Sequence, residues 1–240
     1  MAVALVLAAS CSKMEDKLVV PERNVINGVA ESIGGGTKAY NEYCYNVKWN
    51  ENDRIYVTDG TDGDTFTLTS GAGTTKGQFT EDGAKGITGD IEAFYPASLN
   101  TNDGYVWPAI QTNNQVAPMY AKQSISGKGD DVVSFSSLGA MLQIVFSTET
   151  KGVIVTSIML KHNKKPLSGK FTVDGTGQAI MEDNDENPGI TLDFGTIGFP
   201  IGVAATYFNI AIPAGTYSTQ LSESLWQRIS SFRSTLYSSI

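Results

Sequence analysis

Hydrophobic and polar residues alternate along the first part of the chain, between residues 43 and 96. Alternation with a period of two places apolar side chains on one face of a β-strand, and each run ends in Gly, Asn or Asp, which favour turns. The residues that share a face in successive runs are Tyr43, Tyr45, Val47 and Trp49, then Ile55 and Val57, then Phe66 and Leu68, then Ile91, Ala93 and Tyr95. The pattern predicts a half-buried antiparallel sheet with short connections.

A second group of strands is predicted after residue 130. The apolar runs are Leu138 to Phe146, then Ile154, Thr156, Ile158 and Leu160, then Leu167, Phe171 and Val173, then Leu192 and Phe194, then Tyr207 to Ile212. Residues 100 to 129 are rich in Asn, Gln, Gly and Ser, which predicts irregular structure between two domains. The sequence therefore predicts an all-β protein with two antiparallel β-sandwich domains in tandem, residues 43–130 and 131–240.

The pattern changes in the last segment, residues 218 to 240, where the strand period disappears. The apolar residues with helical spacing are Leu221, Leu225, Ile229, Phe232 and Leu236. Either an amphipathic helix ends the chain, or these residues are a truncated or frameshifted end. The second interpretation is favoured, and it leaves the C-terminal sandwich incomplete, because a sheet without its last strands would expose an edge.

Length and charge narrow the class of protein. A chain of 240 residues can bury two cores without metal or disulfide support. The formal net charge of −8 argues against a nucleic-acid partner, because no basic patch can neutralise phosphates. The small basic cluster of Lys161, Lys164 and Lys165 is interpreted as a solvated turn, since Asn163 and Pro166 lie beside it.

The N-terminus has the features of an exported protein. Residues 1 to 10 form an apolar run that ends in small residues before Cys11, which is typical of a signal peptide and too short to span a bilayer. The segment from Leu7 to Cys11 resembles a bacterial lipobox, in which the thiol is acylated and becomes the new N-terminus. The alternative is a free Cys11 on a buried N-terminal strand. Residues 12–42 are predicted to be a tether and early-strand region, with a flexible loop at Gly34–Gly36.

No catalytic or metal-binding arrangement is predicted. His162 is the only histidine, so neither a His-based triad nor a usual zinc site can be assembled. The acidic segment from Asp59 to Asp64 could supply oxygen ligands to calcium, but its two Asp-Gly steps favour a hairpin turn. We therefore expect a protein that is not an enzyme and needs no cofactor or metal. A glycosidase-type pair of carboxylates stays open, although nothing singles one out.

One family resemblance rests on the order of these elements. Trp49 is followed by Asp53, by the strand Ile55-Tyr56-Val57, by a strand with Phe66 and Leu68, by Phe79, and by Ala93-Phe94-Tyr95-Pro96. This order resembles the N-terminal domain of the fimbrillin-like proteins of Bacteroidota, whose pattern is W-x-x-x-D-x-I-x-V, a strand, a Phe and A-x-Y-P. The L-x-G-x-F step at 167–171 and the I-P-A-G-T-Y segment at 212–217 are similar to that family's C-terminal domain.

The resemblance implies a subunit at the surface of the outer membrane or in a fimbrium. Members join other fimbrial subunits by donating or accepting a β-strand, after a trypsin-like protease has cut behind a basic residue near the N-terminus. Arg23 is the best-placed match, whereas Arg54 lies within a predicted strand. Residues 12–23, with Leu18-Val19-Val20, are expected to form a strand that covers an edge of the first sheet.

A second class of function stays open beside the fimbrial subunit. A surface lipoprotein could bind glycans or host proteins through loops at the end of a sandwich. Tyr105, Trp107 and Tyr120 would then be exposed aromatic platforms. A row of solvent-facing aromatics would favour this alternative, and an exposed strand edge beside a removable N-terminal segment would favour the subunit.

Overall fold

The computed structural model of the protein describes residues 23–30, 47–112, 118–186, 188–215 and 217, and the backbone of residues 233–238. The first ten strands are β1 (Val25–Ala30), β2 (Arg54–Thr58), β3 (Gly63–Ser70), β4 (Lys76–Glu81), β5 (Gly89–Tyr95), β6 (Asn100–Thr101), β7 (Gly104–Trp107), β8 (Ile110–Gln111), β9 (Met119–Ile125) and β10 (Val132–Ser137). The others are β11 (Gly139–Ser147), β12 (Val153–Val155), β13 (Ser157–Leu160), β14 (Gly169–Val173), β15 (Ala179–Met181), β16 (Ile190–Asp193), β17 (Phe199–Ile201), β18 (Thr206–Pro213) and β19 (Arg233–Ser238).

The predicted all-β class is confirmed. In the described part of the chain the helical structure is a single 3-10 turn, Ala97–Leu99. The parity read from the sequence also holds, because Ile55, Val57, Phe66 and Leu68 all face a buried core.

Seven strands form one closed sheet, which we call the barrel. Their order is β1, β10, β9, β5, β2, β3, β4, and β4 pairs with β1 to complete the ring. Every pairing is antiparallel except that of β1 with β10, which is parallel. Because the ring is closed, none of its strands has an unpaired edge along the whole ladder.

Trp49 lies fully buried inside the barrel, where three aromatic rings surround it. Its ring meets those of Phe79, Tyr95 and Phe135 edge to face, at centroid distances of 4.9, 5.2 and 5.7 Å. This geometry favours aromatic pairs beyond the area they bury. The indole Nε1–H donates to the carbonyl oxygen of Gly28 at 3.3 Å, so the same ring also contacts the backbone of β1.

The remaining strands form four small sheets around a second buried cluster, which we call the second region. The sheets are β18-β11-β19, β12-β17, β13-β16-β8 and β15-β14-β7-β6. Trp107 and Phe208 are fully buried in this cluster. Phe208 contacts Phe194 and Phe199 at 4.8 and 5.3 Å between centroids, so aromatic packing joins strands of separate sheets.

The two buried clusters interleave along the chain. Strand β10 belongs to the barrel although it follows residue 130, whereas Trp107 precedes residue 130 and belongs to the second region. The rings of Phe94 on β5 and Tyr105 on β7 stack at 3.8 Å and join the two clusters. The expected boundary near residue 130 therefore falls between β9 and β10, which are paired neighbours in the barrel.

Two local predictions from the sequence are wrong. Residues 100–129 were expected to be irregular, but they contain β6 to β9, because their partners β14, β16 and β5 are distant in the chain. The alternation from Ile154 to Leu160 was expected to form one strand. It forms β12 and β13, which belong to different sheets on either side of Thr156, and Ile154 is 58% exposed.

The end of the chain also differs from its helical spacing. Residues 233–238 form β19, which pairs antiparallel with β11 and places Leu236 opposite Ile144. The helical interpretation is therefore wrong for these six residues, since an available edge of β11 outweighs the spacing of the apolar residues. Residues 218–232 lie outside the described part, as do Tyr43 and Tyr45.

Candidate functional site

The predicted processing residue, Arg23, lies near the start of β1, next to the buried polar residue Asn24. Arg23 is exposed and lies two residues before the first residue of β1. The next residue, Asn24, is only 8% exposed. A protease could bind the Arg23 side chain, but the residues after the bond are paired with β4 and must separate from it to enter an active site. Cleavage after Arg23 therefore requires the start of β1 to open.

Asn24 is held on three sides. Its carbonyl oxygen accepts a hydrogen bond from Glu81 N at 2.9 Å, and its backbone N–H donates to Glu81 Oε2 at 3.2 Å. Its side-chain Nδ2 donates to the carbonyl oxygen of Ile87 at 2.6 Å. Buried hydrogen bonds of this kind are costly to leave unmade, so Asn24 fixes the point at which β1 begins.

Glu81, the last residue of β4, has no exposed surface. Besides Asn24 N, its carboxylate accepts from Lys85 N at 2.7 Å and from Gly86 N at 2.9 Å. Gly86 adopts a positive φ of 73°, which lets the loop turn its N–H groups toward the carboxylate. A carboxylate that accepts several backbone hydrogen bonds is a stable way to bury a charge, and here it ties the loop 85–87 to the start of β1.

The inner face of β1 requires a residue without a side chain at position 28. Ile26, Gly28 and Ala30 point into the barrel. A Cβ added to Gly28 would lie 2.8 Å from Phe79 Cε2, which is closer than real Cβ atoms approach other heavy atoms. Gly28 lies opposite Gly77 of β4, so two glycines together leave room for the rings at the centre of the barrel.

The outer face of β1 contacts the loop that precedes β10. Asn27 N donates to the carbonyl oxygen of Asp131 at 2.9 Å. The Asp131 carboxylate accepts from Ser126 N and Gly127 N, both at 2.8 Å. Desolvation opposes ionisation of Asp131, but these hydrogen bonds together outweigh it and hold its pKa below the usual value. This loop, residues 126–131, therefore holds a charged carboxylate beside β1, and we call it the clamp.

The residues of the fimbrillin-like pattern meet in the barrel and are structural. Tyr95 OH donates to Asp53 Oδ1 at 3.0 Å, and Asn50 N donates to Asp53 Oδ2 at 2.7 Å. Burial raises the pKa of Asp53, and the hydrogen bonds from Asn50 and Tyr95 lower it only in part. The ring of Tyr95 contacts Trp49, so the Trp, Asp and Tyr of the pattern fasten the turn before β2 to the end of β5.

The aromatic platform expected for ligand binding is not on the surface. Trp107 is fully buried and donates from Nε1 to the carbonyl oxygen of Ala211 at 3.3 Å. Tyr120 is 5% exposed, and Tyr105 is partly buried against Phe94. The prediction that these three residues are exposed is wrong, because strand pairing of β7 and β9 turns their rings into the second buried cluster.

The acidic segment forms the predicted hairpin turn between β2 and β3. Asp59 Oδ1 accepts from Thr61 N at 2.8 Å and from Asp62 N at 2.7 Å. Hydrogen bonds from Asp62 and then Thr61 lower the pKa of Asp59. Within the described residues, no group of three or more His, Cys, Asp or Glu side chains is arranged to hold a metal ion.

The basic cluster lies on an exposed connection between β13 and β14, as predicted. His162 is partly buried there, with its ring 5.6 Å from that of Tyr217. Its Nδ1 accepts a hydrogen bond from Lys164 N at 3.2 Å. No nucleophile or carboxylate accompanies His162 in these contacts, so the arrangement stabilises a turn.

Cys11 and Cys44 lie outside the described residues, so the predicted acylation of Cys11 stays a prediction. No helix in the described part of the chain is long and apolar enough to cross a bilayer. Comparisons of the chain with models of protein families, with curated proteins and with solved structures find no match.

The strand on which this site depends, β1, lies within the predicted early-strand region of residues 12–42, but after Arg23 and not before it. The buried residues Ile26, Gly28 and Ala30 alternate with the partly buried Val25, Asn27 and Val29, but Gly and Ala make this alternation weak in the sequence. The strand expected before Arg23 lies outside the described residues, and the strand that closes the barrel follows Arg23. Glu81 was missed, because a lone Glu at the end of a predicted strand does not differ in sequence from a solvated one.

Proposed function

We propose that this protein is a surface-anchored, fimbrillin-like subunit that joins other subunits by exchange of a β-strand, and that β1 is the strand that exchanges. Acyl chains on Cys11 hold it in the outer membrane, and cleavage after Arg23 separates the barrel from that anchor. The observation that supports the proposal best is the position of β1. It is the N-terminal strand of the barrel, and it alone stands between β4 and β10.

Removal of β1 would leave a defined slot. The facing edges of β4 and β10 would each lose a row of backbone partners, and buried donors and acceptors must find new ones. An incoming strand could satisfy them by main-chain pairing, which supplies affinity independently of sequence. Specificity comes from the inner face, because Phe79 and Phe135 admit only a small residue at the position of Gly28.

The two-domain arrangement with sandwich packing belongs to the same proposal. Two separate buried clusters support it, one inside the barrel and one in the second region. In such a subunit the barrel would carry the exchange site, and the second region would contribute its own edges to contacts with neighbours. The stacked rings of Phe94 and Tyr105 would hold the two units together.

A disulfide lock tests the exchange. Asn27 and Gln78 are opposite each other on the outer faces of β1 and β4, so the double variant Asn27→Cys with Gln78→Cys can fasten β1 in place. The probe is a labelled synthetic peptide with the sequence of residues 24–30, whose side chains match the slot. We expect the reduced variant to take up the peptide and the oxidised variant to exclude it.

Two controls make the result specific. Thr67→Cys with Thr80→Cys joins β3 to β4 at opposite positions and leaves β1 free, so it should take up peptide in both redox states. A peptide that carries Val at the position of Gly28 should not enter the slot. Uptake by the oxidised lock equal to that of the reduced form would contradict exchange of β1, and so would absence of uptake by the unlocked protein.

The alternative, a lipoprotein that binds glycans or host proteins through sandwich-end loops, loses its main support. Its platform of Tyr105, Trp107 and Tyr120 faces the second buried cluster. No other described feature favours a glycan site, so strand exchange is the function we propose.

A further inference from the structure

Glu81 is a buried charge that the described residues do not match with a cation. Its partners Asn24 N, Lys85 N and Gly86 N are neutral backbone donors. Near the barrel strands, Arg54 pairs with Asp82 and Lys122 pairs with Glu92, and neither cation contacts Glu81 in these pairs. The neighbouring ammonium of Lys85 donates to the carbonyl oxygen of Gly63 at 2.6 Å instead of approaching Glu81.

Cleavage after Arg23 would place a cation at this carboxylate. Hydrolysis breaks the bond between the Arg23 carbonyl carbon and Asn24 N. Water supplies a hydroxyl to Arg23 and a proton to the nitrogen. The new α-amino group has an ordinary pKa of about 7.7–8.0 and is therefore mostly an ammonium at neutral pH. It would form at the atom that already lies 3.2 Å from Glu81 Oε2.

No rearrangement is needed for this ion pair to form. The cut leaves the bonds from Glu81 N to Asn24 O and from Asn24 Nδ2 to Ile87 O in place. Strand β1 stays paired with β4 and β10 on both sides. The carboxylate is buried in both forms, so the cut adds a close opposite charge at little further desolvation of Glu81.

We propose that Glu81 is the receptor for the new N-terminus of Asn24, and that this ion pair holds β1 in the barrel after cleavage. The inference rests on the proposed cleavage after Arg23 and adds how strand exchange is controlled after that cleavage. The cut frees the barrel from the lipid anchor and keeps it closed. Strand exchange then needs a separate event that removes β1 from the Glu81 site, so a released subunit does not open at once.

The test uses the full chain with an engineered cleavage site, so it does not depend on the natural protease. Changing Val20-Pro21-Glu22 to Ile-Glu-Gly places a specific protease site before the native Arg23 and leaves Asn24 as the first residue after the cut. We expect cleavage at pH 7 to raise the midpoint temperature of barrel unfolding, followed by Trp fluorescence, by roughly 3–10 °C. Peptide uptake by the slot should fall by at least tenfold.

The pH dependence identifies the new group. Pairing with Glu81 raises the pKa of the α-amino group above its unfolded value, so the added stability is fully present below about pH 7.7 and is lost as pH rises through the raised pKa. Other charged groups near this site are Lys85 on the loop after β4, the Arg54–Asp82 pair beside β4, and Asp131 and Lys128 on the loop before β10. These groups are present before and after the cut, so they cancel in the difference between cut and uncut protein. Arg23 leaves with the cut, but its guanidinium stays charged throughout the pH range of the test and adds no pH dependence.

Glu81→Gln in the same background is the matched variant, and its cut and uncut forms should have equal midpoints. If that variant does not fold, the pH series on the unaltered Glu81 protein decides. Cleavage that leaves the midpoint unchanged or lowers it at pH 7 overturns the inference, and so does a rise that persists equally at pH 10 or in Glu81→Gln. The proposed strand exchange fails separately, through the disulfide lock, which needs no cleavage.

Discussion

The barrel and the second region differ in how their strands pair their backbone groups. The barrel satisfies its strands with one closed ladder, in which each strand has a partner on both sides. The second region uses four sheets of two to four strands and leaves several edges without a strand partner among the described residues. There the Gln111 side chain replaces a strand, because it donates to Ala211 O at 2.8 Å and accepts from Ala211 N at 2.9 Å.

The surfaces of the two regions differ as well. In the described part of the chain, Val132 is the exposed large hydrophobic side chain that belongs to the barrel. Those of the second region are Ile110, Ile154, Met159, Ile180, Ile197, Phe199, Val203 and Tyr207. A closed ladder hides its apolar side chains in one interior, whereas small sheets cannot cover all of theirs. The difference teaches that loss of β1 would open a slot in a ladder that is otherwise closed, whereas the second region already has strand edges without a strand partner among the described residues.

The largest expected effect separates the two cores. Trp49→Ala should lower the free energy of unfolding by about 3–5 kcal/mol, because it removes the ring on which three aromatic partners pack. Trp107→Ala is the matched variant in the second region. Amide hydrogen exchange, measured in strands of each region at increasing urea concentration, should show that each variant lowers protection most in its own core. Equal loss of protection in both regions from either variant would mean that they are one cooperative core.

The inner face of β1 should be the most restrictive position for size. We expect Gly28→Val to lower the free energy of unfolding by about 1–3 kcal/mol, because its side chain would overlap Phe79. The control is Val29→Thr, a change of similar size on the outward face of the same strand, and its effect should be within about 0.5 kcal/mol. Thermal or urea unfolding measures both, and a tolerated Val at position 28 would contradict the packing described for β1.

The bridge made by Gln111 should matter in the second region. Gln111→Leu leaves the backbone N–H of Ala211 without its partner, which we expect to cost about 1–3 kcal/mol in the free energy of unfolding. Gln178→Leu changes an exposed glutamine of the same region and should have little effect. Denaturant unfolding checks the pair, and equal stabilities would show that water or a neighbouring group replaces the amide.

The smallest effect is a pH dependence at the clamp beside β1. The pKa of Asp131 is lowered from 3.8 in the folded protein, so its contribution is present above about pH 4 and is lost as pH falls through the lowered value. Asp131→Asn should therefore have a lower midpoint temperature than the unaltered protein at pH 7, and the two midpoints should converge toward pH 2. A constant difference across that range would show that the carboxylate's charge is not involved.

The sequence predicts the strands whose alternation is strong and whose partners are near in the chain. The runs at Ile55 and Val57 and at Phe66 and Leu68 form the expected hairpin, because a short Asp-Gly turn joins them. Closure of the barrel could not be predicted in this way. It depends on the pairing of β1 with β10, which are separated by about a hundred residues and are parallel neighbours. Pairing across such distances leaves no local pattern.

The candidate site shows the same limit. Arg23 could be predicted as a processing residue, but the contact that the next residue, Asn24, makes with Glu81 joins two polar groups 57 residues apart. Burial of Glu81 is decided by the fold around it and not by its neighbours in the chain. The prediction of an exposed aromatic platform was wrong because its residues lie in a segment of polar composition that nevertheless forms strands. Those strands, β7 and β9, pair with β14 and β5, which are distant in the chain.

The central claim is that β1 leaves the barrel as a unit, and amide hydrogen exchange of the full chain measures it most directly. If β1 is the exchanging strand, the amides of residues 25–30 and the facing amides of β4 and β10 lose protection together, before those of the β2–β3 hairpin. The disulfide between positions 27 and 78 should restore that protection. Protection of β1 equal to that of β2 and β3, with no gain from the disulfide, would contradict the account.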